Sequence, residues 1–201
     1  MGQTEYLVTM TTRVPEGVSD AEVADVRTLE AANTARLAQQ GIVRRLWRPP
    51  LGPGEWRTLG LFTANDDSEL ESHLASMPLR RWRTDEVTPL GLHPNDPGPD
   101  SVPRDPAETE FLTTFTVRPP AGADVEGVTT REAVRAGQLA HERKLRRLWL
   151  LPGEGRALGL WQARDRDEIG ALLDSLPMTA AGWLAIDTVP LDPHPSDPAS
   201  A

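Results

Sequence analysis

Apolar and polar residues alternate over residues 5–13, Glu5-Tyr6-Leu7-Val8-Thr9-Met10-Thr11-Thr12-Arg13. The segment is rich in β-branched and aromatic types, which predicts a strand. Past Ser19 and Asp20, either of which can cap a helix, apolar residues return at helical spacing as Val23, Val26 and Leu37. Glu22 suits the first turn and Gly41 the stop, so a helix is expected to about Gln40. Residues 42–48 and 56–63 read as strands joined by the turn Pro49-Pro50-Leu51-Gly52-Pro53-Gly54. Asp66 to Met77 reads as a second helix ended before Pro78, and residues 84–92 as a last strand. The order is β-α-β-β-α-β, the split motif of the ferredoxin-like fold. Helices then cover one sheet face and leave the other in need of a partner.

The same pattern runs a second time. Residues 5–13 return as Glu110-Phe111-Leu112-Thr113-Thr114-Phe115-Thr116-Val117-Arg118, and Arg44-Arg45-Leu46-Trp47 returns unchanged as Arg146-Arg147-Leu148-Trp149. Leu59-Gly60-Leu61 returns as Leu158-Gly159-Leu160, Ser76-Met77-Pro78 as Ser175-Leu176-Pro177, and His93-Pro94 as His194-Pro195. Chance does not keep so many matches in one order, so the chain is a duplication. The expected organisation is repeat 1 over 1–94, a proline- and acid-rich linker over 95–109 and repeat 2 over 110–201. The expected class is α+β: two tandem ferredoxin-like repeats related by a pseudo-twofold, their uncovered sheet faces meeting in a pseudo-dimeric, barrel-like unit.

Composition narrows the function. A net charge of -9 opposes nucleic acid and anionic membranes as partners. Cysteine is absent, which removes disulfides, thiolate metal sites and thiol nucleophiles. Lys144 is the sole lysine, so Schiff-base chemistry is not expected. No targeting segment or spanning apolar run is visible, and a soluble, cytoplasmic protein is expected. The four histidines His73, His93, His141 and His194 lack metal-ligand spacing, and no nucleotide- or cofactor-binding motif is present; neither metal nor cofactor is expected. His93 and His194 stand at matching places after the last strand of each copy, which reads as a contact of the fold.

Glu30 shares a helix face with Val23, Val26 and Leu37, and Glu132 shares one with Val125, Val128 and Leu139. A carboxylate on an apolar stripe is desolvated, which raises its pKa toward neutrality and suits a base that removes a carbon-bound proton. A structural ion pair with an arginine of the following strand explains the same pattern. On that strand Arg44, Leu46 and Arg48 face one way, and an arginine on a concave sheet face holds a carboxylate in two parallel hydrogen bonds. Solvation, or pairing with the excess acid, is the bland alternative. The second copy has Arg146 in place of Arg44 but Leu150 in place of Arg48, so the halves are expected to be unequal, with the first keeping the pocket. Trp47 and Trp149 are equivalent, as are Trp82 and Trp183, which makes them core or pocket-wall residues.

Each copy resembles the muconolactone Δ-isomerase family. In the first copy the match includes Met10-Thr11, Pro15, Glu30, Gly41, Arg44-x-Leu46-Trp47-Arg48, Met77-Pro78-Leu79, Glu86-Val87 and His93-Pro94. The second copy departs at Leu150 and at Arg143, which replaces Gly41. The resemblance implies a ferredoxin-like fold and cofactor-free proton transfer in an unsaturated lactone bearing a carboxylate. It assigns Glu30, and Glu132 by repetition, as acid/base. Arg44 and Arg48 become carboxylate anchors, with Trp47, Trp82, Arg146 and Trp149 as further substrate-binding candidates. Family members form large oligomers of single-copy subunits; a tandem internalises one contact, so a monomer or small homo-oligomer acting on a small molecule is expected. Three functions follow in rank: a cofactor-independent isomerase or cyclase on a small lactone- or polyketide-like substrate, a cofactor-free monooxygenase of an aromatic polyketide, and a non-catalytic small-molecule-binding protein.

Overall fold

The computed structural model describes residues 2–98 and 104–200. Residues 99–103, at the centre of the expected linker, and the chain's first and last residues lie outside the described residues. Two compact units emerge: unit 1 holds the residues up to Leu90 with those from Asp192 onward, and unit 2 is Gly91–Leu191.

In unit 1, β1 (Thr4–Thr12) is followed by α1 (Asp20–Gln39), β2 (Val43–Arg48), β3 (Arg57–Ala64) and α2 (Asp67–Ala75). A 3-10 turn (Pro78–Trp82) then leads into β4 (Arg83–Leu92). The antiparallel sheet order is β4-β1-β3-β2. Unit 2 repeats this with β5 (Thr109–Val117), α3 (Val125–His141), β6 (Leu145–Leu150), β7 (Arg156–Ala163), α4 (Arg166–Asp174), the one-turn α5 (Pro177–Ala180) and β8 (Leu184–Pro193), in sheet order β8-β5-β7-β6. Both copies are ferredoxin-like and the class is α+β, as the sequence pattern predicts.

Local chemistry accounts for the boundaries. Ser19 caps α1 by accepting the Glu22 N–H at 3.2 Å, and Gly41 ends it at φ 74°. The corresponding Arg143 takes φ 64° without glycine's freedom, a conformation that costs a side-chain-bearing residue about 1 kcal/mol. The second helix is shorter than expected: α2 stops at Ala75 and Pro78 opens a separate turn, because proline begins a helical turn more readily than it continues one. The repeated Leu-Gly-Leu has a steric origin. A Cβ at Gly60 would lie 2.3 Å from the Phe62 ring and one at Gly159 2.5 Å from Trp161 Nε1. Those rings fill the two cores, beside Tyr6, Met10 and Leu37 in unit 1 and beside Phe111, Phe115 and Leu139 in unit 2.

The outer edge of β2 is covered inside unit 1. Trp47 and Arg48 pair with Pro193 and Asp192, and the His194 N–H donates to the Leu46 carbonyl at 3.0 Å. Asp197, whose side chain is fully buried, accepts from the Leu46 N–H at 3.0 Å and from Arg45 Nη2 at 3.1 Å. Unit 2 repeats the clamp: Leu150 and Trp149 pair with Gly91 and Leu92, and Asp96 accepts from the Leu148 N–H at 2.8 Å and from Arg147 Nε at 3.2 Å. The segments after the last strands thus each bury one carboxylate.

Asp197→Ala should strand both the Arg45 charge and the Leu46 N–H. Losing one partner of a buried pair costs about 3 kcal/mol, so the urea midpoint of unit 1 should fall clearly, and Asp96→Ala should do the same to unit 2. Midpoints unchanged by both substitutions would contradict the clamp.

Candidate active site

A cavity of about 700 Å³ lies in unit 1, between α1 and the helix-covered sheet face. Met10 and Thr12 enter from β1, Leu46 and Arg48 from β2, and Trp56, Arg57 and Thr58 from the start of β3. Alternation puts Met10 and Thr12, and likewise Leu46 and Arg48, on one face of their strands, whereas Trp56, Arg57 and Thr58 are consecutive and line the cavity from the entry into β3. From α1 come Arg27, Thr28, Glu30 and Thr34; Met77, Leu79 and Arg83 form another wall, and His194–Ser196 complete the lining. Arg27 and Thr28 are exposed, so the cavity opens to solvent along α1.

Glu30 is the single carboxylate of this lining. Its Oε2 accepts the Leu79 N–H at 2.8 Å and its Oε1 accepts from Arg83 Nη1 at 3.1 Å. Arg83 is itself shared: Nε and Nη2 donate to Asp85 at 2.6 and 3.0 Å. Burial therefore dominates and holds the Glu30 carboxyl above its ordinary pKa, against the pull of the Leu79 N–H and Arg83 and with Asp85 adding to the rise. The partner foreseen for an ion pair was an arginine of β2; the actual one belongs to β4.

The cavity also gathers four arginines. Arg83 faces Glu30 and Asp85, and Arg57 lies 3.9 Å from Glu55. Arg27 stacks over the Trp56 ring at 5.4 Å, and among the described residues neither Arg27 nor Arg48 makes an ion pair. A cationic recess in an acidic protein favours an organic anion. His194 contributes an imidazole whose Nδ1 accepts the Ser196 N–H at 3.1 Å. Burial first, then the Arg48 charge, with Arg27 adding and Asp197 opposing, hold its pKa below the usual value.

The remaining sequence candidates lie elsewhere. A bulge between Val43 and Arg45 breaks the two-residue period, so Arg44 is exposed and outside the cavity lining, contrary to the face shared with Leu46 and Arg48. Trp47 is buried beneath Arg45 at 4.8 Å, and Trp82 lies half-buried under Arg81 at 5.3 Å; neither lines the cavity. In unit 2, Arg146 and Trp149 are both buried, the latter under Arg147 at 4.7 Å. Glu132 accepts the Met178 N–H at 2.8 Å, the counterpart of the Glu30–Leu79 bond. Burial raises its pKa, opposed by that N–H alone, and among the described residues it has no ion pair.

His194 reads in the sequence as a contact of the fold, whereas Arg27, Trp56, Arg83 and Asp85 carry no local pattern. Their signal is the difference between the copies: Arg27, Trp56, Arg83 and Asp85 become Thr129, Gly155, Leu184 and Ile186, as Arg48 becomes Leu150. The second copy places Phe115, Leu176, Leu184 and Ile186 together in or against one apolar cluster. Among the described residues no group of three or more His, Asp or Glu is arranged to hold a metal ion. No helix of the described residues is long and apolar enough to cross a membrane.

The family model for muconolactone delta-isomerase matches the chain twice, over residues 4–96 and 109–197. The chain belongs to the muconolactone delta-isomerase family. That membership makes an isomerase the coarse assignment of its activity. Muconolactone Delta-isomerase of Cupriavidus pinatubonensis (strain JMP 134) is 30% identical over 90 residues, which are 45% of this chain and 95% of that protein. The match thus spans nearly the whole of that protein and about half of this chain. Solved structures similar over both copies include a heme-binding protein from Thermus thermophilus, with a TM-score of 0.60, 11% identity and coverage of 96% of this chain and 92% of that one. Another is a putative monooxygenase from Lactobacillus acidophilus, with a TM-score of 0.55, 9% identity and coverage of 94% and 93%. At such identities the likeness is one of fold.

A carboxyl whose folded pKa is raised favours folding fully below its unfolded pKa and loses that advantage as pH rises through the folded value. Glu132→Gln keeps an acceptor for the Met178 N–H and removes the buried charge. The variant should therefore gain on wild type in urea midpoint as pH climbs from 4 to 8, and a gap independent of pH would contradict the desolvation.

Proposed function

We propose that the unit 1 cavity catalyses cofactor-independent proton transfer in a small, enolisable organic anion, an unsaturated lactone or a polyketide-like relative of one. The observation that carries this reading is Glu30 itself, a single desolvated carboxylate in a cavity otherwise furnished with cations. In this reading Arg48, with Arg27 beside it, holds the substrate carboxylate, and Trp56 offers a flat apolar wall. Glu30 Oε1 takes the proton α to the carbonyl and returns it at the far end of the allylic system, moving the double bond. The raised pKa brings the base closer to the proton it must remove at neutral pH. Arg83 stops the carboxyl from being permanently protonated, and Asp85 stops Arg83 from quenching its basicity.

Glu132 has lost the cationic surroundings, so in this reading it is the structural member of the pair and holds the turn at Met178. A ring closure begun by the same enolisation uses the same groups, which keeps a cyclase within the proposal.

Muconolactone is the probe to begin with. Glu30→Gln should lower kcat by about 10²- to 10⁴-fold, the usual worth of a general base, while Glu132→Gln leaves the rate near normal. Arg48→Leu should raise KM about 10- to 100-fold, matching the loss of a charge-assisted hydrogen bond. A Glu30→Gln enzyme of normal rate, or consumption of oxygen during turnover, would overturn the reading.

A further inference from the structure

Proton transfer by Glu30 and anion binding by Arg48 leave the cavity's imidazole, His194, without a role. It is held more tightly than a surface histidine needs to be. Its main-chain N–H donates to Leu46 at 3.0 Å, its carbonyl accepts the Asp197 N–H at 2.8 Å, and Asp197 is clamped to β2 through Leu46 and Arg45. The ring is fixed as well, because Nδ1 accepts the Ser196 N–H at 3.1 Å.

That bond settles the tautomer. A neutral imidazole carries one proton, and a nitrogen that accepts a hydrogen bond cannot bear it, so Nε2 is the donor. Among the described residues Nε2 makes no hydrogen bond. Burial with the nearby Arg48 and Arg27 charges keeps the ring neutral, against the opposing Asp197. The cavity therefore presents a rigid, uncharged N–H donor close to the arginines that would seat the substrate carboxylate.

We propose that the His194 Nε2–H donates to the substrate's carbonyl oxygen and stabilises the enolate formed during proton transfer; the inference rests on the function proposed above. The step balances within the substrate and two side chains. The α C–H bond breaks and its proton goes to Glu30 Oε1. The freed pair forms a C=C bond, and the carbonyl π pair moves onto oxygen, where the Nε2–H holds the negative charge without giving up its proton. Return of the Glu30 proton to the allylic terminus re-forms the carbonyl. A neutral donor suits this work better than a cation, since an imidazolium would pass its proton to the enolate oxygen. His93 makes the same turn, with Nδ1 accepting the Asn95 N–H at 3.1 Å. Unit 2, to which His93 belongs, however has Thr129 and Leu150 in place of the two arginines, and His93 serves as the control.

The decisive experiment compares wild type, His194→Leu, His194→Gln and His93→Leu with muconolactone as substrate. Loss of one oxyanion donor costs about 10²- to 10³-fold in rate. His194→Leu should thus lower kcat by that factor with KM within about threefold of wild type, His194→Gln should recover part of the loss by restoring a donor, and His93→Leu should match wild type. A His194→Leu kcat within threefold of wild type, a loss confined to KM, or an equal loss in His93→Leu overturns the inference while the Glu30 reading stands. If His194→Leu does not fold, wild type labelled with ¹⁵N-histidine decides. Titration with the saturated lactone carboxylate should move the Nε2 resonance that is absent from His194→Gln, and saturation without that movement overturns the role. Wild type that neither converts muconolactone nor binds the saturated lactone overturns the proposed function, and this inference with it.

Discussion

A strand at a sheet edge must find partners for its outer N–H and C=O groups, and both units are organised by how β2 and β6 meet that demand. In unit 1 the demand is met by Asp192 and Pro193, by the His194 N–H on the Leu46 carbonyl, and by the Asp197 carboxylate on the Leu46 N–H. The carboxylate is buried, so it needs a cation, and Arg45 supplies one while lying over Trp47. Completing an edge has thus fixed an aspartate, an arginine and a tryptophan in each unit. In unit 1 it has also brought a histidine to the wall of a cavity. The repeated Arg-Arg-Leu-Trp is explained largely by this structural need, since only Leu46 and the following Arg48 of that stretch reach the cavity.

The two copies show how one scaffold is tuned for opposite ends. Unit 2 sets Leu184 and Ile186 where unit 1 sets Arg83 and Asp85, and the result is an apolar cluster around Phe115 and Trp161. Unit 1 keeps buried charge that must be compensated bond by bond: Glu30 by Leu79 and Arg83, Arg83 by Asp85, Asp85 in turn by Arg80 at 3.2 Å. Such networks contribute little net stability, because desolvation offsets most of the attraction. Their retention in one copy and replacement in the other fits a division in which one half holds the chemistry and the other holds the fold.

The fold was legible because it depends on period and repetition. Alternation in residues 5–13, the Ser19 cap and the Gly41 stop each act over a few residues, and duplication let every element be read twice. Glu30 was legible for the same reason, as a carboxylate on a helical stripe. The rest of the site was not, because it depends on contacts distant in sequence. Arg83 meets Glu30 across 53 positions, and His194 reaches the cavity through a strand pairing that no local pattern announces. Arg44 failed for a local reason: a one-residue bulge shifts the face of everything before it, and bulges leave no periodic trace. Subtracting one copy from the other would have recovered Arg27, Trp56, Arg83 and Asp85.

The hold of the Leu79 N–H on Glu30 Oε2 makes the carboxyl one-handed. With that oxygen committed to the main chain, a proton can be parked on Oε1 alone, the oxygen that also receives Arg83. Protonation there weakens a charge-assisted bond to a buried guanidinium but relieves the larger desolvation of the charge, so at neutral pH the two states of the carboxyl lie closer together than in a solvated glutamate. A proton placed on such a group is held more firmly than on a solvated carboxylate, yet at one oxygen only. In the proposed proton transfer such a group serves as a relay between two carbons of one molecule, taking up and giving back the proton at a single oxygen.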